Sequence, residues 1–208
     1  MKNRQTLTLL STPSTTTLML ILMLCGCSSS TSIQIDAEFP NVLATPKPIS
    51  ATIIFDDNFS NYRSQPVKNI DLDIGTAQQQ LFKNVFQGLF RQVEFTAPSA
   101  PEEQQNSLII KPSVREVQIS TPSDNYLNVF EVWIKYNLAI TTADGETLTN
   151  WYMPAYGKTP DSFTKSKSVA IENATINAIR DAGAKIMLDF YRIPAVHDWV
   201  LEQHPEAG

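Results

Sequence analysis

Two thiols, two imidazoles and two close pairs of carboxylates are the groups in this 208-residue sequence whose types and spacing could do chemistry. Cys25 and Cys27 are the only cysteines. Residues so close together rarely reach disulfide geometry, so these two are not expected to pair with each other. His197 and His204 both fall in the last twelve residues, and neither belongs to a metal-ligand spacing such as H-E-x-x-H. The adjacent His197 and Asp198 are expected as a solvated surface pair rather than a catalytic one. Asp71-Leu72-Asp73 places two carboxylates on one side of an extended segment, as a glycosidase or a calcium loop would. Acids at a helix entry are the preferred account, because negative charge near a helix N-terminus is favourable by up to about 1 kcal/mol. Asp56-Asp57 is expected to be turn chemistry at a strand end. There is no G-x-S-x-G nucleophile elbow and no glycine-rich phosphate loop in a chain with 7 glycines and 13 prolines. No catalytic residue, metal site or cofactor is expected.

The elements that would position these groups follow from hydrophobic periodicity. Ala51 to Phe55 is a short β-branched apolar run closed by Asp56-Asp57-Asn58, the pattern of a buried strand and a turn. From Gly75 to Phe90, Leu81, Phe82, Val85, Phe86, Leu89 and Phe90 recur at helical spacing, with Gln78, Gln79, Lys83 and Gln87 opposite. Gln92 to Thr96 is a candidate short strand, and the Pro-, Glu- and Gln-rich stretch 97–106 is a loop. A long strand opens at Ser107, with a phase change near Arg115 of the kind a β-bulge produces. Val132, Ile134, Tyr136, Leu138 and Ile140 alternate with Trp133, Lys135 and Asn137 in the next strand. Ala143-Asp144-Gly145-Glu146 turns it back into Thr147 to Met153. A last helix starts at Ser166 or Ser168 and runs to about Tyr191, with Val169, Ala174, Ile179, Ala182, Ile186, Met187 and Phe190 inward. Pro194 ends it. The fold class is α+β, β-α-β-β-β-β-α, with two helices packed on one face of a mainly antiparallel four- to five-stranded sheet.

The two cysteines belong to an N-terminal segment with its own logic. Lys2 and Arg4 give a positive start, and Leu18 to Leu24 is apolar but far shorter than the ~20 residues of a membrane-spanning helix, so it reads as a secretory signal. Leu24-Cys25-Gly26-Cys27 resembles the lipobox of bacterial lipoproteins. The resemblance implies diacylglycerol attached to the Cys27 thiol, cleavage between Gly26 and Cys27, and acylation, with palmitate, of the new amine. Cys25 then leaves with the signal and Cys27 carries lipid, so thiolate and redox chemistry are excluded from the mature chain. Ser28, a residue other than aspartate after the lipidated cysteine, implies an outer-membrane destination in a Gram-negative bacterium. The expected organisation is residues 1–26 signal peptide, 27–48 lipidated cysteine and flexible tether, 49–193 α+β domain, and 194–208 C-terminal tail. Within that tail, Val196 to Leu201 with Trp199 is a candidate short helix that packs on the domain or on a neighbour.

Cleavage leaves 182 residues, enough for one domain. Fourteen basic residues then face 21 acidic ones, a net charge of about −7 that disfavours a nucleic-acid partner. The loop aromatics Phe59, Tyr62, Trp151, Tyr152 and Tyr156, with Phe163, are candidate partner anchors, with core filling as the alternative for most of them. The lipobox, the tether and the segments LFKNVFQGLFRQVEF, YNLAITTADGETL and AIENATINAIRDAGAKIMLDF together resemble the small outer-membrane lipoproteins of Gram-negative envelope machines. These are the LPS-assembly lipoprotein LptE, the YajG-type lipoproteins and the auxiliary lipoproteins of ABC-type lipid transporters. The resemblance implies a non-enzymatic, lipid-anchored, periplasm-facing accessory protein with an envelope protein as partner. A lipid-binding or lipid-shuttling lipoprotein using the cleft between helices and sheet is the alternative, and an envelope hydrolase is third.

Overall fold

The computed structural model describes residues 30–96, 107–163 and 165–203. Cys27, Gly26 and His204 lie outside them. Among the described residues, strands and helices build two sheets and a helical layer. The main sheet contains β2 (Lys47–Ile54), β5 (Phe90–Thr96), β6 (Ser107–Ser120), β7 (Val129–Thr142) and β8 (Thr147–Pro160), in the order β5-β2-β6-β7-β8. The long pairings β6–β7 and β7–β8 are antiparallel, and β2 joins β5 and β6 by shorter parallel ladders. A crossover through a helix is what parallel neighbours require, and α2 (Gly75–Leu89) supplies it between β2 and β5. The phase change expected near Arg115 is a register shift between Val114 and Glu116, which keeps Val117 and Ile119 on the same face as Leu108 and Ile110. Gly145, at φ +86°, closes the β7–β8 turn.

Both long helices lie on one face of this sheet, as the hydrophobic periodicity predicts. α2 buries Leu81, Phe82, Val85, Phe86 and Leu89. The second long helix is α4 (Lys167–Asp189), and two single helical turns precede it, α1 (Asp57–Ser60) and α3 (Pro122–Asn125). α4 is capped by the Ser166 hydroxyl, which accepts from the Val169 amide at 3.3 Å. Its buried stripe is small: Ala170, Ala174, Ala178 and Ala182 recur every fourth residue beside Ile171, Ile179 and Ile186. Such a stripe lets the helix approach closely. A Cβ built on Gly157 of β8 would stand 2.1 Å from the Ala174 carbonyl oxygen. Val169, expected inward, is instead exposed, because the stripe begins one residue later at Ala170.

The space between the layers is filled by aromatic rings. Phe82 sits 5.2 Å from Phe59, 5.2 Å from Tyr136 and 6.0 Å from Phe86, and Phe90 sits 5.4 Å from Phe190. Two polar groups enter this core as a satisfied pair. Gln78 donates to the Phe59 carbonyl at 2.6 Å and accepts from the Tyr136 hydroxyl at 3.1 Å. Burial pushes the Tyr136 phenol upward, so it stays a donor.

Two features depart from the sequence expectation. First, the stretch expected as tether is part of the domain from Thr31 onward. β1 (Thr31–Gln34) pairs in parallel with β4 (Ile70–Asp73), and β4 pairs with β3 (Arg63–Val67), giving a three-stranded second sheet. Ile33, Ile35 and Phe39 are buried. A three-position alternation flanked by serines and prolines is too short a signal to be told from a linker. Second, α4 gives way at Phe190–Arg192 to a single 3₁₀ turn, and Pro194 begins a new helix rather than only ending the old one. Proline suits a first helical position, where its missing N–H costs nothing. The candidate short helix of the C-terminal tail is α5 (Pro194–Gln203), which takes the first of its two expected placements and packs on the domain by Val196, Trp199 and Val200.

Candidate functional site

β8 is an edge strand, and its alternate side chains fall on opposite faces of the sheet. Met153, Ala155, Gly157 and Thr159 are buried under the helical layer. Tyr152, Tyr156 and Lys158 therefore stand on the open face. The β7–β8 register sets Tyr156 opposite Trp133 and Tyr152 opposite Asn137. The Trp133 and Tyr156 rings lie 5.2 Å apart with planes at 41°. The Tyr156 hydroxyl donates to Glu131 at 2.7 Å, and the Tyr156 amide donates to Asp181 of α4 at 2.9 Å. Burial, together with the Glu131 carboxylate it bonds, pushes the Tyr156 phenol up to about 12. A tyrosine used as a base or nucleophile needs the reverse shift. This one is a fixed donor on an amphipathic aromatic platform.

Polar groups rim the platform. Lys135 bonds Glu116 at 2.5 Å, and Glu116 also accepts from Gln118. These two donors hold the Glu116 carboxyl below the usual carboxylate range, Lys135 first. Asn137, buried opposite the exposed Tyr152, donates to Asn150 at 3.4 Å, while its Oδ1 is buried with no hydrogen-bond partner. A buried acceptor left unmade costs about 1–3 kcal/mol, a local cost carried by this part of the strand.

Of the five anchor candidates, the structure brings two, Tyr152 and Tyr156, to this face. Phe59 belongs to the core, 5.4 Å from Phe55. Tyr62 is half-buried at the start of β3, and burial raises its phenol. Trp151 is half-buried against the rim of the core on the inward side of β8. Trp133 is the platform residue that the sequence reading passed over. Counting back from the Asp-Gly turn would have paired it with Tyr156.

The remaining chemistry-bearing residues are occupied in ordinary ways. Asp56 caps α1 by accepting from the Phe59 amide at 2.9 Å, and it pairs with Lys111 at 3.2 Å. Asp73 accepts from Arg63 at 2.8 Å and from the Gly75 amide at the start of α2 at 3.3 Å, which is the helix-entry role expected of it. Asp71 lies within β4 and accepts from Gln65 at 3.1 Å. His197 and Asp198 are both exposed on α5. Among the described residues, no three His, Cys, Asp or Glu side chains group closely enough to hold a metal ion. No described helix is long and apolar enough to cross a membrane. Among the described residues, the rings of Phe59, Phe82, Phe86 and Tyr136 pack against one another between helices and sheet. A recess of about 230 Å³ with an almost wholly apolar lining lies instead on the outer side of the helices, where Phe39, Pro40 and Val42 cross Leu81, Val85 and Met187.

No family model matches this chain, and no curated protein sequence matches it. Solved structures do resemble it. The crystal structure of a Xanthomonas campestris protein of the DUF330 family superposes with a TM-score of 0.50 at 8% identity, covering 81% of this chain and 98% of that one. The likeness is one of fold. Two further similar structures are rare lipoprotein B from Shewanella oneidensis, with a TM-score of 0.44, 10% identity and coverage of 71% and 98%, and a minor lipoprotein from Acinetobacter baumannii, with a TM-score of 0.42, 10% identity and coverage of 68% and 92%.

Proposed function

We propose that this chain is a lipid-anchored, periplasm-facing, non-enzymatic accessory protein of a cell-envelope assembly or transport complex, held in the outer membrane through Cys27. The observation that carries this reading is the lipobox Leu24-Cys25-Gly26-Cys27, placed immediately ahead of a domain that begins at Thr31. Its protein partner would meet the open sheet face at Trp133, Tyr152 and Tyr156, where an aromatic pair and a rim of charges converge. A lipid-binding role is the second reading, and the outer apolar recess favours it over the cleft between helices and sheet, which aromatic rings fill. The hydrolase reading has less support, since Asp71 and Asp73 are engaged within the small sheet and at the α2 entry.

Affinity purification of the full-length protein from crosslinked, detergent-solubilised envelopes, with proteins and lipids both identified by mass spectrometry, tests the proposal. A stoichiometric envelope protein that is lost on Trp133→Ala and Tyr152→Ala supports the accessory role. Recovery of lipid alone, sensitive to Val42→Asp but not to Tyr152→Ala, would replace it with the second reading.

A further inference from the structure

We infer that one end of the domain, carrying Tyr126, Leu127 and Phe163, rests on the surface of a phospholipid bilayer; the inference depends on the proposed acylation of Cys27. The length of chain between the anchor and the fold identifies this end. Two residues separate Cys27 from Ser30, and the three Cα-to-Cα steps, fully extended, reach only about 10 Å. The headgroup layer itself is roughly 5–8 Å deep. A 14-residue strand such as β7 is by contrast about 45 Å long, so only the end of the domain where β1 starts can meet the membrane.

Hydrogen bonds and register show what else lies at that end. The Thr31 amide donates to the Asn69 carbonyl at 2.8 Å, and Thr31, Lys68 and Asn69 border the first residues of α4, Lys167, Ser168 and Ile171. The Asp161 amide donates to the Asn128 carbonyl at 2.9 Å, which brings the β6–β7 turn beside the segment leading into α4. Lys167 also acts electrostatically on Asp124 within that turn. Tyr126 is 93% exposed, Phe163 81% and Leu127 67%, so three of the most exposed large apolar side chains among the described residues share the end that the anchor reaches.

The turn is built to hold them outward. Thr121 and Asp124 form a capping box around α3, and Asn125 binds the Leu127 amide at 3.0 Å and the Val129 carbonyl at 2.9 Å. Tyr126 and Asn128 both sit in the left-handed region, at φ 55° and 53°. Non-glycine residues occupy that region at a cost, and here the cost maintains a turn whose polar groups are satisfied internally while its apolar side chains face away. Amphipathic tyrosine and bulky apolar groups suit the headgroup boundary.

Charge points the same way. Lys68, Lys165 and Lys167 lie around this end, and Lys158 and Arg180 flank Phe163, beside the acids Asp124, Asp161 and Glu131, the last accepting from Asn125 at 3.0 Å. The opposite end, at the β7–β8 turn and α5, gathers Asp144, Glu146, Asp198 and Glu202, together with Arg192, which pairs with Asp189, and Lys47, over the Tyr191 ring. A chain that is acidic overall would therefore present its more basic end to anionic headgroups and its acidic end to the aqueous side.

The test uses the full chain, purified in acylated form and reconstituted in vesicles of phosphatidylethanolamine and phosphatidylglycerol. Leu127→Cys and Phe163→Cys variants carry an environment-sensitive fluorophore, with Leu188→Cys and Leu201→Cys as positions remote from that end. Intact mass first establishes that Cys27 is acylated, so failure of the anchor and failure of this inference are read separately. The expected result is a blue-shifted emission and loss of quenching by aqueous iodide at positions 127 and 163 on reconstitution, with positions 188 and 201 unchanged. An acylated protein whose probes at 127 and 163 stay fully quenched in lipid would overturn the inference. So would protection that appears only when an envelope protein is added, which would assign this end to a protein partner.

Discussion

The closest contact between the helical layer and the sheet makes a quantitative prediction. Gly157 of β8 faces α4, and an added Cβ would meet three backbone atoms: the Ala174 oxygen at 2.1 Å, the Ala178 nitrogen at 2.3 Å and the Asn177 carbonyl carbon at 2.9 Å. Ordinary contact begins at 3.4 Å, so in Gly157→Ala the helix must retreat by more than 1 Å. Backbone cannot rotate aside as a side chain can. A retreat of about 1 Å across two turns of helix, a contact roughly 11 Å long and 9 Å wide, opens on the order of 100 Å³ beneath the alanine stripe. At about 24 cal/mol per Å³, the loss is on the order of 2–3 kcal/mol. For a domain of this size that lowers Tm by about 5–10 °C. Urea unfolding followed by circular dichroism would read the loss as a lower midpoint at unchanged slope. Gly145→Ala is the control: its positive φ of 86° is strained for alanine, at about 1–2 kcal/mol, but nothing lies within 4 Å, so its loss should be confined to the turn and leave the α4 contact intact. Equal stability of Gly157→Ala and the parent protein would refute the close approach of α4 to β8.

Further outcomes follow from the buried polar groups. Tyr136→Phe leaves the Gln78 Oε1 buried without its donor and should cost about 1–3 kcal/mol in urea unfolding, whereas Tyr152→Phe, exposed on the open face, should leave the midpoint unchanged. The Tyr156 phenol, pushed up to about 12, favours the folded state below pH 10, and this contribution is lost as pH rises through 12. Ultraviolet titration should therefore show tyrosines ionising well above 10, with a group near 12 absent from Tyr156→Phe. Ser166→Ala removes the cap of α4 and should cost about 0.5–2 kcal/mol, seen as faster amide exchange over the first turn of that helix.

Much of the fold was legible because its long elements are strongly periodic. Leu81 to Leu89 and Val132 to Ile140 each announce their period over several repeats, and the Asp-Gly turn and the bulge near Arg115 have local causes. The second sheet was not legible, because β1, β3 and β4 are four or five residues long and gain their partners only through long-range pairing. The two-residue turn at Lys68-Asn69, with Asn69 at φ 63°, was a local clue to the β3–β4 hairpin. For the candidate surface, aromatic type alone did not separate Phe59 from Tyr152. Strand parity did: positions 152 and 156 share a face, and the register across the hairpin adds Trp133. Exposure of Tyr126 and Leu127 depends on a left-handed turn that only the structure displays.

The central claim is that this domain works from a lipid anchor at Cys27, and the most direct test is intact and peptide mass spectrometry of the protein recovered from envelope membranes. The expected product is a mature chain that begins at Cys27, bears a diacylglyceryl thioether and an amide-linked acyl group, and fractionates with the outer membrane. A membrane-fraction protein that retains residues 1–26, or that begins at residue 27 with a free thiol, would contradict it.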